Sequence, residues 1–347
     1  MKRSEKERVV RRRKTSAPVF SVIMPTYNRA HCVRTAIDSL LRQTFRKFEL
    51  LIADDGSRDG TGSMIRTKYA KEISAGRIVY LRLKHAGVSQ ARNAALQKAA
   101  GEWIAYLDSD NVVSADFLET FAEGIRNNPQ ARNFYAALVY RDSRRVLDRA
   151  FDRRTLARGN FIDMGMYCHH RDLIAEFGGF DQTVNGLEDW DLVLRHTAKY
   201  VPVRLGKIVL SYQDDPQKDR LSVCRNLNHA RDVIHARYWE CAKPREEDIA
   251  AVENSHFFSA EWYRAAYGER LDGMEPAEHY LTRGWLDNLA PGPLFDGAAY
   301  LRRYADVAAA FVNPLLHYER HGRREGRTGF LRTKPLELKS IIAGARS

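Results

Sequence analysis

The chain has 347 residues, of which 44% are hydrophobic and 29% charged, as is typical of a soluble globular protein with a large core and a smaller second unit. No apolar run approaches the ~20 residues of a membrane-spanning helix, and no signal-peptide core follows the basic N-terminus, so we expect a cytoplasmic protein. The formal net charge of +12 is concentrated at the ends, because residues 1–17 carry +6 and residues 331–347 carry +3. This distribution argues against a specific nucleic-acid partner. It leaves two interpretations of the tails: peripheral contact with the anionic inner face of a membrane, or a solvated disordered segment.

The first third of the sequence alternates strand-like and helix-like segments. Apolar runs predict strands at residues 19–24, 48–53, 78–81 and 103–107. Helical spacing fills the gaps, and the third helix is predicted at 90–99, with Ser89 as its N-cap and Gly101 as its stop signal. This alternation predicts an α/β fold with a sheet built from right-handed βαβ units. The sequence contains neither GxGxxG nor GxxxxGK(S/T), which argues against a dinucleotide dehydrogenase and a P-loop ATPase.

The middle of the chain has a weaker pattern. Residues 141–163 are rich in Arg and Asp and are predicted to form a loop region. Around them, spacing and stop signals predict helices at 117–125, 173–177 and 187–200, and short strands at 136–140, 201–203 and 207–210.

An internal repeat follows a helical connector at about 225–250. Phe258, Tyr263 and Tyr267 recur 37 residues later, and His279-Tyr280 and Gly284 recur 38 residues later. Such an offset predicts two copies of a helical unit of about forty residues. We therefore expect five segments: a basic tail at 1–17, an α/β domain at 18–224, a connector at 225–252, a two-copy helical repeat region at 253–330 and a basic tail at 331–347.

Acidic residues follow the strand predicted at 103–107. Asp108 and Asp110 lie on one side of an extended segment, because side chains repeat every second residue there. Hard cations such as Mn²⁺ or Mg²⁺ take carboxylate oxygens and keep other positions for water and phosphate. The pattern therefore predicts a metal–diphosphate site, although two solvated turn acids would have the same sequence.

Three other positions have both a functional and a structural interpretation. Asp54-Asp55-Gly56-Ser57 ends another strand, where carboxylates can accept from a base or ribose, but it is also a turn sequence. Arg92 lies early in a helix, where its side chain could face a bound phosphate or base, or could be an ordinary surface arginine. Glu188-Asp189 offers a general base, yet acids also favour the start of a helix.

The run Cys168-His169-His170 invites a zinc interpretation. Adjacent side chains in a strand point to opposite faces, and no second Cys/His pair has ligand spacing, which argues against zinc. We expect His169 or His170 to lie near the acceptor instead.

The order of these motifs resembles that of the family 2 glycosyltransferases, which have the GT-A fold. The match covers about residues 18–215 and has five landmarks: Ser21-Val22-Ile23-Met24-Pro25-Thr26-Tyr27-Asn28-Arg29, Asp54-Asp55-Gly56-Ser57, Gly87-Val88-Ser89-Gln90-Ala91-Arg92-Asn93, Asp108-Ser109-Asp110 and Glu188-Asp189-Trp190-Asp191-Leu192. The resemblance implies a Rossmann-like, mixed and mostly parallel sheet flanked by helices, followed by a small helical C-terminal region. It also implies inverting transfer from a nucleotide-diphosphate sugar, with a UDP-sugar favoured, to a glycan or lipid-linked glycan acceptor in bacterial surface polysaccharide assembly.

The same resemblance assigns residues to roles. Asp110 falls where the family ligates Mn²⁺ or Mg²⁺, and Asp108 where it meets the ribose or a water on the metal. Asp189 falls on the base that deprotonates the acceptor hydroxyl, and Glu188 is the second candidate. The residues that fall in the nucleotide-sugar site are Pro25, Thr26, Tyr27, Asn28, Arg29, Asp54, Asp55, Arg92 and Asp108.

The sequence departs from the family pattern in one motif. Gln217-Lys218-Asp219-Arg220-Leu221 matches the Gln-x-x-Arg-Trp motif of processive synthases only in part, so we do not expect a processive polymerase. Arg220 is still a candidate for the diphosphate.

The sequence allows more than one interpretation of the C-terminal repeats and of the function. The C-terminal repeats resemble units that accompany some bacterial glycosyltransferases, where they could dock a partner or glycan or only extend the fold. A sugar-phosphate nucleotidyltransferase and a catalytically inactive scaffold protein are the alternative functions.

Overall fold

The computed structural model describes residues 17–184, 186–212, 228–309, 312–328 and 330–332. Within these ranges no helix combines the length and the apolar character needed to cross a membrane. Arg220 and the basic N-terminal tail up to residue 16 lie outside the described residues.

One mixed sheet forms the centre of the larger unit. In the described part of the chain it has nine strands: β1 Phe20–Thr26, β2 Phe48–Asp54, β3 Ile78–Arg82, β4 Trp103–Tyr106, β5 Val112–Val113, β6 Asn133–Tyr140, β7 Val146–Leu147, β8 Tyr167–His170 and β9 Val203–Tyr212. Their order is β3-β2-β1-β4-β8-β6-β9-β5, with β7 paired to β6. The strands β3-β2-β1-β4 are parallel to one another, and β6 and β9 run in the same direction, whereas β5, β7 and β8 are antiparallel to their neighbours. The prediction of a mixed, mostly parallel sheet is confirmed.

Burial explains why these segments are strands. Every residue of β1 and β2 is buried, as expected where helices cover both faces of a parallel sheet. The helices of this unit are α1 Val33–Leu41, α2 Thr61–Lys68, α3 Ala70–Ser74, α4 Val88–Leu96, α5 Phe117–Asn127, α6 Arg153–Arg158, α7 Asp172–Phe177 and α8 Glu188–His196. The parallel strands β1 and β4 end at Thr26 and Tyr106. Thr26 and the residues after Tyr106 therefore lie at the same edge of the sheet, the edge at which open α/β sheets bind ligands.

Several predicted boundaries are wrong. The segment 141–163 contains β7 and α6 rather than only loop, because β6 offers β7 an edge and Asp152 accepts from the backbone of Thr155 to cap α6. The predicted strands at 201–203 and 207–210 form the single strand β9, which shifts register against β6.

The helix predicted at 90–99 begins and ends earlier. Ser89 lies inside α4, and Gly87, with φ of +100°, is the N-cap, although its side chain can make no capping bond. Gly101 is not the stop signal, because α4 already ends at Leu96. The backbone N–H of Gly101 instead donates to the Ser21 hydroxyl of β1 at 2.8 Å. A side chain at this position would collide with the β1 backbone.

The C-terminal part is helical. The connector contains two helices, α9 Asn228–Ala242, which is kinked at Tyr238, and α10 Glu246–Glu253. The first repeat copy contains α11 Ala260–Tyr267, α12 Pro276–His279 and a π-helical turn Tyr280–Gly284. The second contains α13 Gly297–Arg303, α14 Ala305–Ala309, α15 Pro314–His317 and a π-helical turn Tyr318–Gly322.

The two copies are built in the same way. Tyr263 contacts His279 Nδ1 through its hydroxyl at 2.9 Å, and Tyr300 contacts His317 Nδ1 at 2.9 Å. In each copy a glycine leaves room for that tyrosine hydroxyl, so a Cβ on Gly284 or Gly322 would collide with it. The repeat predicted from the 37- and 38-residue offsets therefore has a structural counterpart, and its buried residues form a second core separate from that of the sheet.

Candidate active site

A cavity of about 260 Å³ opens at the carboxyl ends of β1 and β4. Open α/β sheets bind their ligands at this edge. The cavity is lined by Pro25, Thr26, Tyr27, Arg29, Asp55, His85, Gly87, Val88, Ala91, Arg92, Asp108, Ser109, Asp110, Asn111, Asp163, Gly186, Glu188, Asp189 and Tyr212. All five sequence landmarks contribute to it, so the fold brings together motifs that are more than 160 residues apart.

Aromatic rings flank one end of the cavity. Tyr27 stacks on His85, with ring centroids 4.2 Å apart and an interplanar angle of 15°. Asp55 holds the His85 loop in place, because its carboxylate accepts from the backbone N–H groups of Ala86 at 2.8 Å and Gly87 at 2.9 Å. His85 Nδ1 lies 2.8 Å from the same carboxylate. Asp55 therefore shapes the loop before α4 as well as facing the cavity.

Two residues predicted to bind the nucleotide lie outside the lining. The carboxylate of Asp54 accepts from the Ser57 backbone at 2.8 Å and from the Tyr80 hydroxyl. Asn28 adopts φ of +51°, and its side-chain oxygen accepts from the backbone of Arg58 at 2.9 Å. Asn28 connects the end of β1 to the turn after β2, and Asp54 connects that turn to β3, so both support the wall behind Tyr27.

A buried arginine joins the two acidic motifs. Arg92 of α4 donates through Nη2 to Asp108 at 2.9 Å and through Nη1 to Glu188 at 3.2 Å, and its guanidinium lies over the Phe180 ring. Burial alone would lower the pKa of Arg92, but Asp108 and Glu188 raise it above its usual value. Arg92 therefore stays charged and is shared between these two carboxylates.

The two acids at the start of α8 have different surroundings. Glu188 is buried, accepts from the Gly186 backbone at 2.8 Å, and pairs with Arg92. Asp189 is half-buried and faces the cavity, and the described residues give its carboxylate no cation partner, only the Asn160 amide at 3.3 Å and its own helix backbone. Burial, followed by the neighbouring charge of Glu188, raises the pKa of Asp189 to about 6.

Asp163 is a cavity residue that the sequence interpretation missed. It precedes β8 in the segment predicted as loop, and its Oδ1 accepts from the Gly165 backbone at 2.8 Å. Burial and the nearby charge of Asp108 raise its pKa to about 7. A signal was present, because Asp163 is an acid set between the apolar Phe161-Ile162 and Met164. His85 and Tyr212 were also missed.

The charges of the lining favour a divalent cation at Asp108 and Asp110. Six carboxylates line the cavity together with two arginines, Arg29 and Arg92, and Arg29 lies 4.0 Å from Asp110. The six are those of Asp55, Asp108, Asp110, Asp163, Glu188 and Asp189. Among the residues that the structure describes, no three His, Cys, Asp or Glu side chains are grouped to hold a metal by themselves. Two carboxylates suit a Mn²⁺ or Mg²⁺ ion whose other ligands are waters and phosphate oxygens, so the donor set fits such an ion.

The adjacent histidines have structural positions. His169 is fully buried, its Nε2 lies 2.8 Å from the Tyr106 hydroxyl, and burial lowers its pKa to about 4. His170 lies between Glu102 and Asp172 on the other face of β8. Neither histidine lines the cavity, so the expectation that one of them lies near the acceptor has no support from the position of either.

Comparison with known proteins identifies the family. The family profile "Glycosyl transferase family 2" matches residues 21–173. A PGL/p-HBAD biosynthesis glycosyltransferase of Mycobacterium bovis is 31% identical over 182 residues, which are 52% of this chain and 70% of that protein. The chain belongs to glycosyltransferase family 2. This family 2 chain is also 43% identical over 102 residues to a UDP-Glc:α-D-GlcNAc-diphosphoundecaprenol β-1,3-glucosyltransferase of Escherichia coli, a match that covers 29% of the chain.

Relatives and structures differ in how much of the chain they cover. The chain spans 38% of the length of the E. coli relative and 15% of that of another relative, a glycosyltransferase of Streptococcus pneumoniae. The crystal structure of S. aureus TarS residues 1–349 in complex with UDP-GlcNAc covers 91% of this chain and 98% of its own, with a TM-score of 0.54 and 18% identity. This likeness confirms the GT-A fold of the family 2 chain.

Proposed function

We propose that the chain transfers a sugar from a nucleotide-diphosphate sugar, with inversion, to a hydroxyl of a glycan or lipid-linked glycan acceptor. The observation that supports this most is the position of Asp189, a carboxylate without a cation partner among the described residues, in the cavity that Asp108 and Asp110 also line. A base on one side of the sugar and a diphosphate site on the other are what a single displacement requires.

The aromatic end of the cavity suits the nucleotide. The Tyr27 ring offers a face on which a base can stack, and the Thr26 hydroxyl is buried without a partner among the described residues. We assign Pro25, Thr26 and Tyr27 to the nucleotide, Asp55 to the loop that borders it, and Asp54 and Asn28 to the supporting wall. The role of Arg220 at the diphosphate remains a prediction. The E. coli relative is named for UDP-Glc, which favours a UDP-sugar here.

The acidic residues after β4 suit the diphosphate. Asp110, with Asp108 as its neighbour, would hold Mn²⁺ or Mg²⁺, and Arg29 lies close enough to Asp110 to contact the same phosphates. A bound divalent ion neutralises the charge that develops on the leaving diphosphate. Arg92 donates a hydrogen bond to Asp108 and so helps to hold its carboxylate in position.

The chemistry of the step follows from the base. Asp189 accepts the proton of the acceptor hydroxyl, whose oxygen forms a bond to the anomeric carbon while the bond from that carbon to the diphosphate breaks. The electron pair of the broken bond leaves with the nucleoside diphosphate, and the configuration inverts because attack and departure are on opposite sides. The raised pKa of Asp189 makes it a stronger base than an exposed aspartate and still leaves it ionised at neutral pH.

The acceptor and the place of action are part of the same proposal. The E. coli relative is named for a diphosphoundecaprenol-linked acceptor and the M. bovis relative for PGL/p-HBAD biosynthesis. We propose a lipid-linked glycan acceptor, a role in bacterial surface polysaccharide assembly, and a cytoplasmic location with peripheral contact at the inner membrane face.

Transfer and binding assays with the full chain test the proposal. UDP-, GDP- and dTDP-sugars are offered with Mn²⁺, Mg²⁺ or EDTA, and nucleoside diphosphate release and melting temperature are measured. We expect release with one base, only with metal, and a loss of at least about a hundredfold in kcat for Asp189→Asn and Asp110→Asn. Glu261→Gln, an acid-to-amide change at an exposed position of α11, is the control.

The outcomes separate the candidate functions. Turnover that persists in both variants would contradict the assigned roles. Pyrophosphate release from a nucleoside triphosphate would favour a nucleotidyltransferase instead, and nucleotide binding without turnover of any donor would favour an inactive binding protein.

A further inference from the structure

Asp163 lies where the transferred sugar would be held. The charges of Asp108, at the diphosphate end, and of Asp189, the proposed base, both act on its carboxylate, and all three residues line the same cavity. In a single displacement the sugar lies between the leaving diphosphate and the base. A side chain that is close to both, and that lines the same cavity, therefore borders the sugar.

The contacts of Asp163 leave one oxygen for a ligand. Its Oδ1 accepts from the Gly165 backbone, which fixes the side chain at the start of the turn before β8. Within the part of the chain that the structure describes, its Oδ2 has no hydrogen-bond donor and the carboxylate forms no ion pair. A carboxylate oxygen accepts hydrogen bonds from hydroxyl groups and cannot donate them when ionised.

This end of the cavity carries an excess of negative charge. Arg92, whose charge acts on Asp163, already donates to Asp108 and to Glu188 through its two Nη atoms. Asp163 and Asp189 are therefore left without a cation among the described lining residues. A further carboxylate on the bound sugar would be placed beside like charges in a partly desolvated site, which is unfavourable.

We infer that Asp163 is a specificity-determining residue that accepts a hydroxyl of a neutral donor sugar and rejects donors whose sugar carries a carboxylate, such as uronic acids. The inference rests on the proposed transfer, and it specifies the class of donor for the same cavity. It gives Asp163 a role different from that of Asp189, because Asp163 accepts a hydrogen bond from the donor sugar and does not take the acceptor proton.

Two substitutions separate the charge of Asp163 from its shape. Asp163→Asn keeps an oxygen for the Gly165 N–H but removes the charge, whereas Asp163→Glu keeps the charge and displaces the oxygen. Each variant is assayed at pH 8 with a neutral hexosyl donor and a uronic acid donor of the accepted base, and kcat/KM and Kd are measured for both donors. Glu261→Gln is again the control, and melting curves establish that each variant is folded.

The expected result is a change in ratio rather than a general loss. We expect the wild-type chain to favour the neutral donor by at least about a hundredfold in kcat/KM, and Asp163→Asn to reduce this ratio by about tenfold through tighter binding of the uronic acid donor. Asp163→Glu should still reject the uronic acid donor while kcat/KM for the neutral donor falls. Glu261→Gln should leave the ratio unchanged.

The inference and the proposed function fail in different ways. Wild-type turnover of both donors with equal efficiency, or an unchanged ratio in folded Asp163→Asn, would overturn the role of Asp163 and leave transferase activity established. The absence of turnover with every donor in the wild-type chain would overturn both.

Discussion

Arg92 forms ion pairs with two of the acidic residues in the cavity and leaves the carboxylate of Asp189 available to act as a base. Its guanidinium pairs with Asp108 and Glu188, so that among the described residues the Asp189 carboxylate accepts only from the Asn160 amide and the Trp190 backbone N–H. The family resemblance placed Asp189 ahead of Glu188 as the base, and the path of the Arg92 side chain supports the same order. We therefore favour Asp189 over Glu188 as the base.

The pH dependence of the reaction follows from Asp189. A general base must be ionised, and burial raises the pKa of Asp189 to about 6, so kcat/KM should fall about tenfold per pH unit below that value. Asn160→Ala removes the amide that donates to the carboxylate and should move the midpoint to higher pH. Initial rates between pH 5 and 8 measure both effects. A flat profile, or an unchanged midpoint in the variant, would contradict the assignment.

Site residues could be predicted from the sequence where they follow a strand or lie in the first turns of a motif-bearing helix, as Arg92 and Asp189 do. Asp108 and Asp110 come directly after an apolar run, so their position at the edge of the sheet follows from β4. Asp163 and His85 reach the cavity through turns whose course depends on contacts with Gly165 and Asp55. Such contacts join segments of irregular structure and leave no periodic pattern.

The helix α8 connects the cavity to the C-terminal part of the chain. Asp191 is fully buried and accepts from Arg195 of the same helix at 2.8 Å. It also accepts from Arg237 at 3.1 Å and from the Tyr238 hydroxyl at 3.0 Å, both in α9. One turn of α8 therefore presents Asp189 to the cavity and Asp191 to the connector, so the connector helps to hold the proposed base in position.

Loss of the Asp191 charge should loosen this connection. For Asp191→Asn we expect a decrease of about 2 kcal/mol in the free energy of unfolding, since hydrogen bonds to a buried charge are lost. We also expect a lower kcat with little change in nucleotide affinity, because Asp191 does not line the cavity. Denaturant unfolding, kinetics and calorimetry measure these quantities.

A matched control is available on the same arginine. Asp181 pairs with Arg237 at 2.7 Å but is partly exposed, so Asp181→Asn should cost well under 1 kcal/mol, as expected for a surface pair. Equal effects of the two substitutions would show that α8 is not held through Asp191.

Elements were predicted well where one physical signal dominated. The apolar runs of β1 to β4 and the aromatic repeat of the C-terminal region are strong local patterns, and both are present in the structure. The short strands β5 and β7 have two residues each and exist only because β9 and β6 offer an edge. Their signal lies in the partner strand, so a local reading of 141–163 could not find β7.

The whole chain carries its charge unevenly, and this bears on where it would act. Residues 1–17 have eight Lys and Arg against two Glu, whereas residues 18–330 have a net charge of only +3. Each basic residue near an anionic membrane surface contributes about 1 kcal/mol of attraction. We propose that this basic end brings the chain to the membrane surface that carries a lipid-linked acceptor.

Vesicle binding by the full chain tests this proposal. Replacing the four basic residues Arg11, Arg12, Arg13 and Lys14 with Gln should weaken binding to vesicles that contain anionic lipid by at least about tenfold. Release of nucleoside diphosphate in solution should not change. Binding of the unaltered chain should fall as salt is raised, because surface charges are screened beyond about 8 Å at physiological ionic strength. Neutral vesicles provide the control for non-electrostatic adsorption. Equal sedimentation of both chains with anionic vesicles would mean that the tail does not direct the enzyme to the membrane, and any contact would then have to come from the body.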